Sequence, residues 1–177
     1  HAAACRIVYT PFHGTGLVPI REALSRAGFS DLHILEEQAV PDPDFPTVKY
    51  PNPEDPDAFT LAFELAGRIQ ADLVLGTDPD ADRLGAAVKD AQGHYHLLTG
   101  NQIGALMIDY ILHSRARTGR LPEHGVIVKT IVTSSLGAHI ASAYGVRCID
   151  VLTGFKYIGE KIKEFESAGS NDFLFGY

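Results

Sequence analysis

Short apolar runs alternate with amphipathic stretches along the first half of the chain, a pattern typical of strands and helices in turn. The predicted strands cover 5–10, 32–37, 72–76, 84–90 and 94–98, and the predicted helices cover 17–28 and 57–70. The last two strands flank Ala-Gln-Gly and are expected to pair as a hairpin. Asp57 is the expected N-cap of the second helix.

The second half repeats this alternation. The predicted helices cover 101–116, 134–145 and 153–169, and the predicted strands cover 125–130, 146–152 and 172–177. We therefore expect an α/β fold with two consecutive small α/β domains, residues 1–98 and 99–177, each with a mixed sheet flanked by helices. The last strand runs into the C-terminus without a turn, so we expect the chain to be a fragment.

A proline-rich segment interrupts the first domain. Residues 40–56 contain six prolines and cannot form a long regular element. A loop of this length in a compact domain is usually functional or disordered.

Composition narrows the classes of partner. The formal net charge of −7 argues against a non-specific nucleic-acid binder, which needs clustered Lys and Arg. No apolar run approaches the roughly 20 residues needed to cross a bilayer, and the start of the chain lacks the pattern of a signal peptide. We expect neither nucleic acid nor membrane as a partner. Cys5 and Cys148 lie in apolar runs and indicate buried, reduced thiols in a cytoplasmic protein.

Three carboxylates stand two residues apart directly after the third predicted strand, at Asp78, Asp80 and Asp82. In a curved loop their oxygens can converge, and three converging anions repel one another unless a cation lies among them. Hard oxygen ligands favour Mg²⁺, Ca²⁺ or Mn²⁺ over Zn²⁺. The pattern therefore predicts a divalent metal site, and the alternative is a solvated acidic turn.

Two known types of acidic site share this spacing, but this chain lacks other residues that each of them requires. An EF-hand loop requires Gly at its sixth position and Glu at its twelfth, where this chain has Arg83 and Lys89. A phosphatase of the haloacid dehalogenase type also begins with Asp-x-Asp after a strand, but it needs an acidic pair further along the chain. The later aspartates are isolated, so this phosphatase is the weaker alternative.

Several motifs in order resemble those of the α-D-phosphohexomutases, the phosphoglucomutase/phosphomannomutase family. The metal loop TDPDADR is the most specific. The other motifs are TPFHGTG (10–16), PNPE (51–54), LTGNQIGALMIDYIL, VKTIVTS and TGFKYIGEKI (153–162). The resemblance covers nearly the whole chain and implies that it corresponds to the second and third domains of that family.

The resemblance implies an intramolecular phosphotransferase of the isomerase class. Such enzymes transfer a phosphoryl group between a phosphoserine and a hexose phosphate through a bisphosphorylated sugar, with Mg²⁺ held by Asp78, Asp80 and Asp82. The phosphoserine belongs to the family's first domain and a phosphate clamp to its fourth. This chain contains neither the family's phosphoserine motif nor its phosphate-clamp motif. The family's sugar loop would begin where the chain stops, at Tyr177. The fragment alone is therefore expected to be inactive and to need those two domains as partners.

The resemblance also implies roles for single residues. Arg83 would bind phosphate or sugar oxygens, or else form a salt bridge that orients the loop. Lys129 ends a buried strand and is a candidate acid or base for a sugar hydroxyl, the alternative being a lysine that extends to solvent at a strand end. His13 lies in a Gly-rich turn and either faces the substrate or shapes the turn.

A strand-to-helix turn is the expected sugar-contacting loop of the second domain. It comprises Thr153, Gly154, Phe155 and Lys156, although a plain helix cap explains Thr153 equally well. Glucose phosphates are the favoured substrates, and mannose phosphates are the alternative. Two other functions stay open, a stand-alone Mg²⁺-dependent phosphatase and a non-catalytic module that binds metal or sugar phosphate.

Overall fold

The computed structural model describes residues 2–177, which form two compact units. The first unit ends at Gly100 and the second runs from Asn101 to Tyr177. Each unit has its own sheet with helices packed on it. The expected α/β fold class is confirmed.

The first unit contains a five-stranded mixed sheet with the strand order β2-β1-β3-β4-β5. The strands are β1 (Ile7–Thr10), β2 (Leu32–Ile34), β3 (Leu73–Thr77), β4 (Leu84–Lys89) and β5 (Tyr95–Leu98). Strand β1 pairs parallel with β2 and β3, whereas β3, β4 and β5 pair antiparallel. The expected hairpin of β4 and β5 is therefore confirmed.

Helices α1 (Leu17–Arg26) and α2 (Thr60–Ile69) complete the first unit. Alternate residues of a strand point to opposite faces of its sheet, and here each face has its own apolar cluster. Ile7 and Tyr9 pack in the cluster that includes Leu17 of α1, whereas Val8 packs in the cluster that includes Ala62 of α2. Both helices are thus held by burial of apolar side chains against the same central strand.

Two local predictions in the first unit are wrong. Strand β2 stops at Ile34, and residues Glu36–Gln38 form a 3₁₀ turn instead of continuing the strand. Asp57 is not an N-cap, because a 3₁₀ turn over Pro56–Phe59 precedes α2 and Asp55 caps it by accepting the Asp57 amide at 3.0 Å. Proline favours the first position of a helical turn, where its missing N–H costs nothing.

The second unit contains three parallel strands in the order β7-β6-β8. They are β6 (Gly125–Thr130), β7 (Arg147–Val151) and β8 (Asp172–Gly176), and the helices are α3 (Gly100–Arg117), α4 (Leu136–Ala143) and α5 (Phe155–Ala168). Central strand β6 is buried along its whole length. Ile127 packs with α3 and α4, whereas Val126 and Val128 pack with α5 on the other face. Both strand pairs of this sheet are parallel because helices α4 and α5 connect the strands as crossovers, so the expected mixed sheet is wrong for the second unit.

Two expectations from composition can be compared with the described residues. Cys5 and Cys148 are free thiols, but both are half-buried rather than buried. Among residues 2–177, none of the helices combines the length and the apolar character needed to span a membrane.

Candidate functional site

The three aspartates converge at the carboxyl end of β3. One oxygen from each of Asp78, Asp80 and Asp82 lies within 4.8 Å of the others. Asp78 is buried, with an exposed fraction of 2%, whereas Asp80 and Asp82 are exposed. The loop bends sharply, since the amide of Ala81 donates to the Asp78 carbonyl at 3.0 Å and Ala81 has a φ of 58°. The bend points carboxylates that are separated in sequence toward one position.

Asp78 is paired with Arg83 from the same loop. The Arg83 backbone amide donates to Asp78 Oδ1 at 3.1 Å, and its Nε donates to Oδ2 at 2.7 Å. The same Nε lies 3.7 Å from Asp82 Oδ1. One guanidinium therefore offsets part of the negative charge of the cluster, while its side chain remains 56% exposed.

The neighbouring aspartates favour the protonated form of Asp82. Its pKa is raised, first by a shared hydrogen bond with Asp78, then by burial and by the charges of Asp78 and Asp80, while Arg83 acts in the opposite direction. Because the oxygens are close and their charges are incompletely offset, the cluster suits a cation.

The HGTG turn (residues 13–16) clamps the metal loop. The Pro79 carbonyl accepts hydrogen bonds from the Thr15 amide at 2.8 Å and from the Thr15 hydroxyl at 3.0 Å. A Cβ atom on Gly14 would overlap the backbone of Pro79, so only glycine allows this close approach. The turn thereby fixes the stretch between Asp78 and Asp80.

The proline-rich loop lies against the other end of the metal loop. Asn52 Oδ1 accepts from Arg83 Nη1 at 3.4 Å, and it also accepts from the Glu54 amide at 3.1 Å. A Cβ atom on Gly85 would overlap the Pro53 carbonyl, so the loop runs directly over the start of β4. This long loop is therefore packed against the candidate site.

His13 has partners on both sides of its ring. Nδ1 lies 3.1 Å from the Val40 carbonyl and Nε2 lies 2.8 Å from the Thr47 hydroxyl. The residue is 6% exposed, and its φ of 61° places it in the left-handed region. These contacts fit the turn-shaping alternative for His13.

Lys129 is buried at the end of β6, where its Nζ has three acceptors. It lies 2.9 Å from Asp150 Oδ1, 3.3 Å from the Thr130 carbonyl and 3.4 Å from the Thr133 carbonyl. The residue is 5% exposed, so its side chain does not extend to solvent. The alternative of a solvent-exposed lysine at the strand end is therefore wrong.

The turn before α5 presents its side chains outward. Gly154 is the N-cap residue, with a φ of 126° and no side-chain cap hydrogen bond, so the cap interpretation of Thr153 is wrong. Phe155 is 65% exposed, and Lys156 Nζ lies 4.7 Å from the centre of the Tyr157 ring. Glycine is suited to this N-cap position because residues with a side chain rarely adopt a φ of 126°.

Family models match both units. Residues 1–93 match the phosphoglucomutase/phosphomannomutase alpha/beta/alpha domain II, and residues 99–177 match domain III of the same family. The chain belongs to the phosphoglucomutase/phosphomannomutase family.

Individual members of the family are similar over nearly the whole chain. A phosphoglucomutase from Staphylococcus aureus is 41% identical over 170 residues, covering 96% of this chain and 30% of its own length. A phosphoglucomutase/phosphomannomutase family protein from Burkholderia thailandensis superimposes with a TM-score of 0.68 at 19% identity, over 96% of this chain and 34% of its own. The chain thus spans about a third of the length of these relatives.

A third relative was solved with ligands. The N-acetylphosphoglucosamine mutase of Aspergillus fumigatus, in complex with GlcNAc-6P and magnesium, has a TM-score of 0.59 at 17% identity, over 90% of this chain and 33% of its own. At such identities the two solved structures establish a shared fold and nothing finer.

Several contact residues of this phosphoglucomutase/phosphomannomutase family chain, around the metal loop in the first unit and around Lys129 in the second, were not identified from sequence. They are Thr15, Asn52 and Asp150. Asp150 could have been found from the predicted strands, because parallel pairing of 125–130 with 146–152 places it opposite Lys129. Thr15 and Asn52 lie in the TPFHGTG and PNPE motifs, but their contacts join segments that are distant in the sequence, so the sequence did not indicate their partners.

Proposed function

We propose that this chain provides the metal loop and part of the sugar-binding surface of a phosphoglucomutase-like enzyme. The enzyme would interconvert hexose 1-phosphate and hexose 6-phosphate through a phosphoserine and a bisphosphorylated sugar. The observation that carries this proposal is the convergence of Asp78, Asp80 and Asp82 within 4.8 Å. It lies in the part of the chain that matches domain II, and the phosphoglucomutase of S. aureus is 41% identical.

The donor set fits Mg²⁺. Three carboxylates offer hard oxygen ligands, and Mg²⁺ is commonly held by few carboxylates while other positions stay open for water or phosphate. The A. fumigatus mutase was solved with magnesium, which supports the same metal here. When bound, the ion would act as a Lewis acid toward a phosphoryl oxygen. The chain's own residues supply the rest of the site.

Arg83 would both orient the metal loop and bind the transferred phosphoryl group. Its Nε holds Asp78, which orients that carboxylate. The guanidinium is planar with five N–H donors, and the side chain is 56% exposed, so donors remain for a phosphate or sugar oxygen. We assign Arg83 to positioning of the metal loop and to binding of the transferred group.

Lys129 would act in the second unit as the acid or base for a sugar hydroxyl. Its ammonium has three N–H donors, and each has an acceptor in the structure. A sugar hydroxyl must therefore replace one of them, and the Thr133 carbonyl at 3.4 Å is the most weakly held. Asp150 would keep the charged group in place during that exchange.

Recognition of the hexose would involve the turn before α5. Thr153 and Phe155 are exposed there, Gly154 sets the shape of the turn, and Lys156 offers a cation for a phosphate. Glucose phosphates are favoured by the S. aureus relative, and mannose phosphates are the alternative within the family. His13 would contribute through the shape of its turn rather than by direct contact.

A stand-alone phosphatase is less well supported. A carboxylate nucleophile must reach phosphorus, whereas Asp78, the first aspartate after the strand, is 2% exposed and is held in place by Arg83. The phosphoserine and the phosphate clamp would come from other domains of the full protein, and cytoplasmic localisation stays a prediction.

The test is an assay of glucose 1-phosphate conversion to glucose 6-phosphate by the full-length protein, with phosphatase activity measured in parallel. We expect Mg²⁺-dependent conversion that Asp80→Asn reduces by at least about 100-fold, because the metal supplies several kcal/mol of charge stabilisation. Asp44→Asn is the matched control, since Asp44 is an exposed aspartate of the same unit outside the cluster. Hydrolysis of phosphate esters without isomerisation would contradict the proposal.

A further inference from the structure

A chain of side-chain hydrogen bonds joins the proline-rich loop to the HGTG turn. It runs from Thr10 through Gln38 and Thr47 to His13, and we call these four residues the relay. Gln38 is completely buried, as is Thr10. A buried polar chain of this kind is stabilising only when each of its atoms has a partner.

Each bond of the relay has a defined direction. The Thr10 hydroxyl donates to Gln38 Oε1 at 2.5 Å, and Gln38 Nε2 donates to the Thr47 hydroxyl at 3.0 Å. Because a carbonyl can only accept, His13 Nδ1 donates to Val40, and in the neutral imidazole Nε2 is then the acceptor. The Thr47 hydroxyl, having accepted from Gln38, can therefore donate its proton to His13 Nε2 at 2.8 Å.

The relay holds a backbone conformation that is unfavourable on its own. Phe12 and His13 have φ angles of 46° and 61°, in the left-handed region that L residues seldom adopt. Such residues persist only where surrounding contacts fix them. Thr10 also accepts the Phe12 amide at 3.1 Å, and the Gln38 carbonyl accepts the His13 amide at 2.9 Å.

The left-handed pair directs the chain toward the metal loop. Two residues after His13, Thr15 donates both its amide and its hydroxyl to the Pro79 carbonyl, between Asp78 and Asp80. A hydroxyl at position 47 is thus connected, through His13 and Thr15, to the backbone that carries two of the three carboxylates.

We infer that Thr47 is a positioning residue for the metal loop, which it reaches through His13 and Thr15. This inference rests on the proposed Mg²⁺ site. Thr47 touches none of the three aspartates, and it lies outside every motif that carries the family resemblance.

Three variants test the inference. Thr47→Val keeps the shape of the side chain and removes the hydroxyl, whereas Thr47→Ser restores the hydroxyl. Thr60→Val is the control, because Thr60 is another exposed threonine of the same unit and its hydroxyl donates to the Asp57 carbonyl, outside the relay. The readouts are amide hydrogen exchange at Thr15 by NMR and the dissociation constant for Mg²⁺ by calorimetry.

We expect Thr47→Val to speed exchange of the Thr15 amide and weaken Mg²⁺ binding, each by at least about threefold, because the substitution removes the bond to His13 and the bond from Gln38. Thr47→Ser and Thr60→Val should stay within about twofold of the parent protein at both readouts. Amides in the centre of β3, such as that of Val74, should exchange at the parental rate in all variants.

Two results would overturn the inference. One is unchanged Thr15 exchange in Thr47→Val, and the other is equally faster exchange at Thr15 and Val74, which indicates general destabilisation. If the parent protein itself bound no Mg²⁺, the proposed metal site would fail, while the exchange at Thr15 would still decide whether Thr47 holds the turn.

Discussion

The Nε atom of Arg83 lies 2.7 Å from Oδ2 of Asp78, so a buried carboxylate and an exposed guanidinium of one short loop form an ion pair. The Arg83 amide completes the contact by donating to the other oxygen of the same carboxylate. Asp78 and Arg83 therefore hold the two ends of the metal loop together. The Arg83 guanidinium also offsets part of the negative charge of the three aspartates.

This ion pair predicts that Arg83→Ala destabilises the metal-free protein. Removal of the guanidinium leaves the buried Asp78 charge with fewer partners, and we expect a loss of about 1–2 kcal/mol in the free energy of unfolding, limited by the exposure of Arg83. Urea denaturation with and without Mg²⁺ measures it, and Mg²⁺ should restore more stability in the variant than in the parent. Arg26→Ala breaks an exposed pair with Glu22 and should change stability by less than about 1 kcal/mol. Equal effects of the two substitutions would refute this role of the pair.

The contact of Gly14 with Pro79 predicts a steric effect. Gly14→Ala places a methyl group inside the backbone of Pro79, so we expect a loss of roughly 1–3 kcal/mol and a displaced metal loop with weaker Mg²⁺ binding. Gly67→Ala is the matched control, because nothing lies within 4 Å of its added Cβ in α2. That control should gain up to about 1 kcal/mol. Parental Mg²⁺ binding by Gly14→Ala would contradict the clamp.

The raised pKa of Asp82 predicts that this residue lowers the stability of the metal-free protein while it contributes to Mg²⁺ binding. Its folded-state pKa is raised above the ordinary value of 3.8, so its stabilising contribution is present below that pH and is lost as pH rises through the folded-state value. At neutral pH ionised Asp82 has lost its hydrogen bond to Asp78 and is repelled by Asp78 and Asp80, which destabilises the metal-free protein. We expect Asp82→Asn to raise the urea midpoint of the metal-free protein at pH 7 while weakening Mg²⁺ binding. A lower midpoint in the variant would count against repulsion within the cluster.

The β4–β5 hairpin predicts a pH effect that is independent of the metal loop. Asp90 has a pKa lowered to about 2, first by the His96 ring at 2.7 Å, then by the amides of His94 and Gln92. Its stabilising contribution is present above the ordinary value of 3.8 and is lost as pH falls through about 2. We expect His96→Ala to raise the pKa of Asp90, as measured by carboxyl chemical shifts in NMR. His94→Ala should raise it less, since that ring lies 3.7 Å away, and the reverse order would contradict the assignment.

The periodic features of the fold could be predicted from sequence. The β4–β5 hairpin and the buried strand Gly125–Thr130 follow from alternation and from continuous apolar runs. The 3₁₀ turn at Glu36–Gln38 was not predicted, because no glycine or proline separates these residues from the apolar run before them. The convergence of the three aspartates was predictable from their spacing, since a bent loop gathers such side chains.

The supporting contacts of the site were beyond sequence reasoning for a physical reason. Ala81 adopts a φ of 58° although no glycine marks the position, and Thr15 reaches Pro79 across 64 residues. Such contacts depend on how strands β1 and β3 pair, so they become visible only in three dimensions. The contact between Lys129 and Asp150 was partly predictable. Parallel pairing of their two strands would have placed these residues side by side.

The most direct measurement of the central claim is a calorimetric titration of this chain with Mg²⁺, together with its Asp80→Asn and Asp44→Asn variants. The account predicts that the chain binds one Mg²⁺ per molecule, that Asp80→Asn weakens this binding by at least about tenfold through loss of a ligand, and that Asp44→Asn binds like the parent. Absence of Mg²⁺ binding in the parent, or equal binding by Asp80→Asn, would contradict a metal site built from Asp78, Asp80 and Asp82.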